Sequence, residues 1–154
     1  MVPTLPPGVP AARPTGLSRL EALVGQWEME TVFALAPPVR VLGRTTFEWL
    51  QGGFFLIQRW AIEHPDVPDG AAIISTATVE TFSQRYFESR GVHRTYEMSL
   101  NDGVWRLRTD SPGFAQRFTG SLSEDSATFE GAWEKSQDGS HWEHDFDLTY
   151  RKIG

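Results

Sequence analysis

From Gln26 almost to the end of the chain, apolar and polar side chains alternate with a period of two, and clusters of glycine, asparagine, aspartate and serine interrupt the alternation at short intervals. Successive side chains of an extended strand project to opposite faces, so this pattern marks half-buried β-strands joined by tight turns. Ten strands are predicted, over 26–34, 42–50, 54–62, 72–79, 84–89, 92–100, 104–109, 115–122, 127–135 and 142–151. Gly52-Gly53, Asn101-Asp102-Gly103, Ser123-Glu124-Asp125 and Gln137-Asp138-Gly139 supply hairpin turns between them. Ahead of the strands, Leu17, Leu20, Leu23 and Val24 share one helical face, Ser18-Arg19-Leu20-Glu21 fits a capping box, and Gly25 supplies a stop. That predicts one or two helical turns, and no second helical stretch follows.

The fold class expected is all-β: a closed or nearly closed antiparallel up-and-down barrel of about ten strands with a short N-terminal helix, since closure removes the exposed edges of an open meander. A sandwich of two sheets is the structural alternative, and it would fill its middle with side chains. A chain of 154 residues makes one domain. Residues 1–15 hold five of the ten prolines and read as a proline-rich flexible arm, leaving 16–154 as the barrel domain. The arm has neither a basic start followed by an apolar run nor a span long enough for a bilayer, so a cytoplasmic location is the default expectation.

Composition narrows the chemistry. There is no cysteine, which removes disulfides, thiol nucleophiles and cysteine-based metal centres. The net charge of -6 argues against nucleic-acid and anionic-membrane partners, whose affinity rests on clustered positive charge. Phosphate-binding glycine loops, HExxH and EF-hand patterns are missing from the sequence.

Alternation then sorts inside from outside. Trp27, Met29 and Phe33 are predicted inward on the first strand, Phe47 and Trp49 on the second, and Phe54, Leu56 and Trp60 on the third. Arg94, Tyr96 and Met98, then Gln116 and Phe118, then Phe129, Gly131 and Trp133, follow on later strands. On the last strand Trp142, His144, Phe146, Leu148 and Tyr150 share the predicted inner face. The expected interior is an aromatic chamber into which Gln58, Arg94, Gln116 and His144 intrude. A dry core would have to satisfy each of these polar groups, whereas a water-containing cavity lowers that cost. The outer apolar residues Phe55 and Ile57 hint at a packed surface and leave a homodimer open.

Leu20-x-x-Leu23-x-Gly25-x-Trp27 resembles the start of calycin-superfamily barrels, the lipocalins, fatty-acid-binding proteins and nitrobindins. Ser89-Arg90-Gly91-Val92-x-Arg94-x-Tyr96, Gln116-Arg117-Phe118-x-Gly120, Gly131-x-Trp133-Glu134 and Asp145-Phe146-x-Leu148-x-Tyr150-Arg151 resemble small uncharacterised bacterial calycin-like proteins. The resemblance implies a ligand-binding barrel whose first-strand tryptophan is covered by a basic residue of the last strand, here Arg151. It also implies a second reading: nitrobindins carry a haem-ligating histidine on their closing strand, where His144 lies, although this chain has Glu28-Met29-Glu30-Thr31 in place of their glycine-rich first strand.

Three functions follow as expectations. The first is binding of a small hydrophobic or aromatic molecule, with an acidic group met by Arg94, in a site of Gln58, Trp60, Arg94, Tyr96, Gln116, Phe118, Trp133 and His144, without catalytic residues, metal or cofactor. The second is haem held through His144. The third is a barrel enzyme, a cyclase or isomerase acting on a hydrophobic intermediate, with His144 together with Arg94 or Tyr96 providing acid–base help. His93 and His64 read as solvated surface groups. His141 and His144 make a poor metal pair because an odd separation sends them to opposite faces of a strand.

Overall fold

A computed structural model of the chain describes residues 6–10 and 12–154. Its ten strands are β1 (Gly25–Phe33), β2 (Val39–Trp49), β3 (Leu56–Ile62), β4 (Gly70–Thr76), β5 (Phe82–Glu88), β6 (His93–Asn101), β7 (Val104–Ser111), β8 (Phe114–Leu122), β9 (Thr128–Ser136) and β10 (Glu143–Lys152). Each pairs antiparallel with the next, and β10 returns to β1, so the sheet is a closed barrel. The expected architecture is therefore the observed one, and the sandwich is excluded. The turn residues explain why the hairpins close where they do: Gly52, Gly53, Asp102, Gly103 and Gly139 all carry positive φ. Met1–Leu5 and Ala11 of the proline-rich segment lie outside the described residues.

The helical segment forms over Thr15–Ala22, but as a 3-10 helix, and the expected capping box is not made. Pro14 occupies the N-cap without a side-chain bond, and the Ser18 hydroxyl donates to the Thr15 carbonyl at 2.9 Å instead. Glu21 turns to a different task, accepting a hydrogen bond from Trp49 Nε1 at 2.8 Å. Arg13 lies 4.3 Å from the Trp49 ring centroid and donates to the Gly53 carbonyl at 2.6 Å, which fastens the segment across the β2–β3 turn. The fully buried Leu17, Leu20 and Leu23 plug one end of the barrel.

Behind that plug the barrel is solid. Trp27, Phe47, Leu56, Ile74, Phe82, Met98, Trp105, Phe118 and Phe129 are each 2% exposed or less. Trp105 is central, with ring centroids at 5.2 Å from Phe118, 5.4 Å from Tyr150 and 5.5 Å from Phe129, tilted and edge contacts of the kind aromatic rings favour. Gly120 and Gly131 face each other across β8 and β9, and Phe118 lies over them where a Cβ on either would collide with its ring. Small residues on one strand thus make room for a large ring beside it.

Two expectations at the barrel seam need correction. Lys152, not Arg151, covers Trp27: its Nζ stands 5.5 Å from the indole, while Arg151 points outward and pairs with Glu30 at 2.9 Å. Trp27 and Lys152 are register partners across β1 and β10, whereas Arg151 is one residue out of phase. The second correction lies on β10, where a bulge between His144 and Phe146 admits Asp145 as an extra residue. Residues before the bulge consequently lie on the opposite face from that predicted by alternation. Trp142 is outside, 4.0 Å beneath the Arg117 guanidinium and 5.2 Å from that of Arg108. His144 is outside too, bonded through Nε2 to Asp147 at 2.8 Å.

On the outer wall Phe55, Ile73 and Phe87 are exposed. No helix among the described residues is long and apolar enough to cross a membrane.

Candidate functional site

The half of the barrel away from the plug is hollow. A cavity of about 400 Å³ opens between the β3–β4 loop and the ends of β1, β5, β6, β8 and β10, within the range of small-molecule sites. Among the residues predicted for a site, Gln58, Trp60, Arg94, Tyr96, Gln116 and Trp133 line it together. Phe118 is one layer behind, its ring 5.4 Å from that of Trp133. His144 is excluded by the bulge, and Asp145 and Phe146 occupy the wall in its place.

The aromatic wall is continuous. Trp60 stacks on Tyr86 at 5.2 Å, Tyr86 meets Tyr96 edge-on at 5.7 Å, and Tyr96 meets Trp133 at 5.6 Å. Trp60 is held flat because Gly70 on the neighbouring strand has no side chain: a Cβ there would strike the indole and the Phe87 carbonyl. The Trp60 Nε1 proton goes to the Pro68 carbonyl at 3.2 Å, which ties the loop after β3 across the rim. The Ile62 amide donates to Asp69 Oδ1 at 2.7 Å at the base of the same loop.

Most charges at the rim are neutralised in pairs. Glu88, whose side chain has no exposed surface, receives Arg90 at 2.5 and 2.8 Å and the Tyr86 hydroxyl at 2.9 Å. The Arg90 bonds hold the Glu88 carboxyl below its ordinary pKa, while burial and then the bond to Glu88 push the Tyr86 phenol up. Asp145 has Lys135 at 3.7 Å, and Asp66 stands exposed on the loop.

Arg94 is different. It forms no ion pair among the described residues; its guanidinium carbon lies 5.0 Å from the Phe114 ring centroid and 5.9 Å from that of Tyr86. Contacts with ring faces support a guanidinium without occupying the in-plane N–H fork that carboxylates accept. Beside it the Tyr96 hydroxyl donates to Gln116 Oε1 at 2.8 Å. Burial pushes the Tyr96 phenol up, and Arg94 pulls in the opposite direction.

Deeper in the cavity a second polar group is built from amides. Gln84 Nε2 donates to Gln58 Oε1 at 3.3 Å, Gln58 Nε2 donates to Thr45 Oγ1 at 3.3 Å, and Thr45 Oγ1 donates to the Arg59 carbonyl at 2.9 Å. Tyr150 lies beside them, its phenol pushed up by burial and tempered by Gln58.

Sequence reasoning missed Gln84, Tyr86, Glu88 and Phe114. The strand Phe82–Glu88 carries an aromatic on each face, Tyr86 inward and Phe87 outward, so alternation alone could not choose a lining. The Gln84-x-Tyr86-x-Glu88 spacing was the available signal.

The arrangement offers haem no imidazole. No histidine lines the cavity among the described residues, and the imidazole proposed as ligand, His144, is engaged with Asp147 on the opposite side of the wall. No group of three or more potential metal-ligating side chains forms among the described residues either.

No protein-family model matches the chain, and no curated protein matches it in sequence. Solved structures do resemble it. The crystal structure of Rv2717c from M. tuberculosis superposes with a TM-score of 0.70 at 10% identity, covering 93% of this chain and 100% of that one. The structure of EF1p2_mFAP2b bound to DFHBI gives a TM-score of 0.45 at 10% identity, covering 90% and 100% respectively. The likeness to Rv2717c is one of fold: a closed antiparallel β-barrel spanning nearly the whole chain.

Proposed function

We propose that this barrel binds a small hydrophobic or aromatic molecule bearing an acidic group, in the manner of calycin-type carriers. The observation that carries the reading is Arg94: a guanidinium inside an aromatic cavity, supported by rings, with no carboxylate of its own. Arg94 makes no direct salt bridge among the described residues, so an incoming carboxylate can take its N–H fork through two parallel N–H···O bonds. Tyr96 and Gln116 stand beside it to orient such a group, and Trp60, Trp133 and Phe146 offer flat apolar contact to the remainder of the ligand. Hydrophobic walls with a few placed polar groups are the usual composition of a small-molecule site.

Native mass spectrometry of freshly purified protein tests for a retained organic ligand. Titration with anilinonaphthalene sulfonate, an anionic aromatic probe, tests the site directly. Binding should weaken at least roughly tenfold in Arg94→Ala, the scale of one lost charged hydrogen bond, and in Trp133→Ala. Unchanged affinity in both variants would remove the cavity from consideration as the binding site.

A further inference from the structure

The cavity has two polar stations, and they differ in charge. At the rim stands Arg94. Below it are Gln84 and Gln58, which are 3% and 4% exposed and both reach the cavity. A carboxamide offers two N–H donors and an acceptor oxygen with two lone pairs. The relay through Gln58 and Thr45 uses one donor of each glutamine, and Gln84 Oε1 accepts nothing among the described residues. No carboxylate, guanidinium or ammonium takes part in this lower cluster, so a charged ligand group there would be buried without compensation. A hydroxyl matches it, because one oxygen can both accept from an amide N–H and donate to Gln84 Oε1.

Strand register sets the spacing. Gln84 pairs with Tyr96, and Arg94 pairs with Tyr86 on the same two strands, so the stations are one inward-facing step apart, roughly 7 Å along the strand. The side chains between and around them are flat rings, Tyr86, Tyr96 and Trp133.

We infer that the preferred ligand is a planar aromatic carboxylate carrying a neutral hydroxyl at the end remote from its acid, the carboxylate taken by Arg94 and the hydroxyl by the Gln84–Gln58 pair. This rests on the reading of the cavity as a binding site and adds the second recognition point, which separates hydroxylated from plain aromatic acids.

The test is calorimetric titration of the full chain with two probes: naphthoate, and the hydroxynaphthoate with its acid and hydroxyl at opposite ends of the rings. The hydroxylated probe should bind roughly tenfold more tightly, the value of one buried hydrogen bond that the plain acid leaves unmade. Gln84→Met should erase that preference, so that the two probes bind with equal affinity, and Arg94→Met should weaken both probes. Equal affinity of the two probes for the unaltered protein overturns the inference while leaving the cavity a binding site. Failure of both probes to bind overturns the inference and the reading beneath it. The comparison on the unaltered protein stands even if Gln84→Met does not fold.

Discussion

His144 and Phe146, two residues apart on one strand, face opposite sides of the barrel wall. Asp145 enters between them as a bulge, so His144 registers with Glu134 while Phe146 registers with Trp133. The imidazole consequently belongs to the surface, where it bonds Asp147. His144→Ala should change affinity for a cavity probe by less than about twofold and stability by about 1 kcal/mol or less, as for exposed ion pairs. Parallel probe titration and thermal melts check this. A tenfold loss of binding would mean that the imidazole reaches the lumen.

Glu88 links the rim to pH. Its carboxyl is held below its ordinary value of 4.5, first by the Arg90 hydrogen bond, so the unfolded chain binds the proton more tightly than the folded one. The stabilisation is therefore complete above that ordinary value and is lost as pH falls through the lower folded value. Glu88→Gln should melt at a lower temperature than the unaltered protein at neutral pH, and the gap should close in acid. Melting curves from about pH 7 to pH 3 measure it, and a gap that stays constant would deny the ion pair its role.

Gly70 is the flat bed on which Trp60 rests. In Gly70→Ala the new methyl meets the indole and the Phe87 carbonyl, and overpacking of this kind costs about 1–3 kcal/mol. The ring should swing from its stack on Tyr86 and lose its bond to Pro68, with a shift in tryptophan emission and weaker probe binding. Normal emission together with unchanged stability would show that Trp60 does not need the space.

Leu20, with no exposed surface, anchors the plug at the closed end. Leu20→Ala should lower unfolding free energy by about 2–5 kcal/mol, read from denaturant midpoints. Because the plug lies on the far side of the solid core, probe affinity under folding conditions should change little. A small loss of stability would indicate that the helical segment only rests on the barrel.

The fold was legible because its cause is repetitive. Ten alternating segments and glycine-bearing turns specify ten hairpin-linked strands, and Trp27, Phe47, Tyr96 and Phe118 took the inward face that alternation assigns them. Parts of the cavity were legible for the same reason: Gln58, Arg94 and Gln116 share phase with their aromatic neighbours and reach the lumen. What escaped depends on single-residue events. One inserted residue on β10 reverses Trp142 and His144, and nothing in Trp142-Glu143-His144-Asp145-Phe146 announces it. The Arg151 expectation failed by one position of register, since Trp27 faces Lys152. The Ser18 capping box failed because the helical segment begins three residues earlier, at Thr15, which places Ser18 inside it with its hydroxyl on the Thr15 carbonyl. Pairings such as Glu88 with Arg90, and their absence at Arg94, depend on side-chain reach that periodicity does not encode.

The leucine plug closes one end of the barrel, and the strap that Trp60 holds through Pro68 crosses the hollow end. A molecule that passes beneath the strap meets it on the way in and on the way out, so loosening the strap should accelerate capture and escape together and leave their ratio nearly unchanged. Occupancy would then be governed by the walls, and residence time by one indole–carbonyl latch.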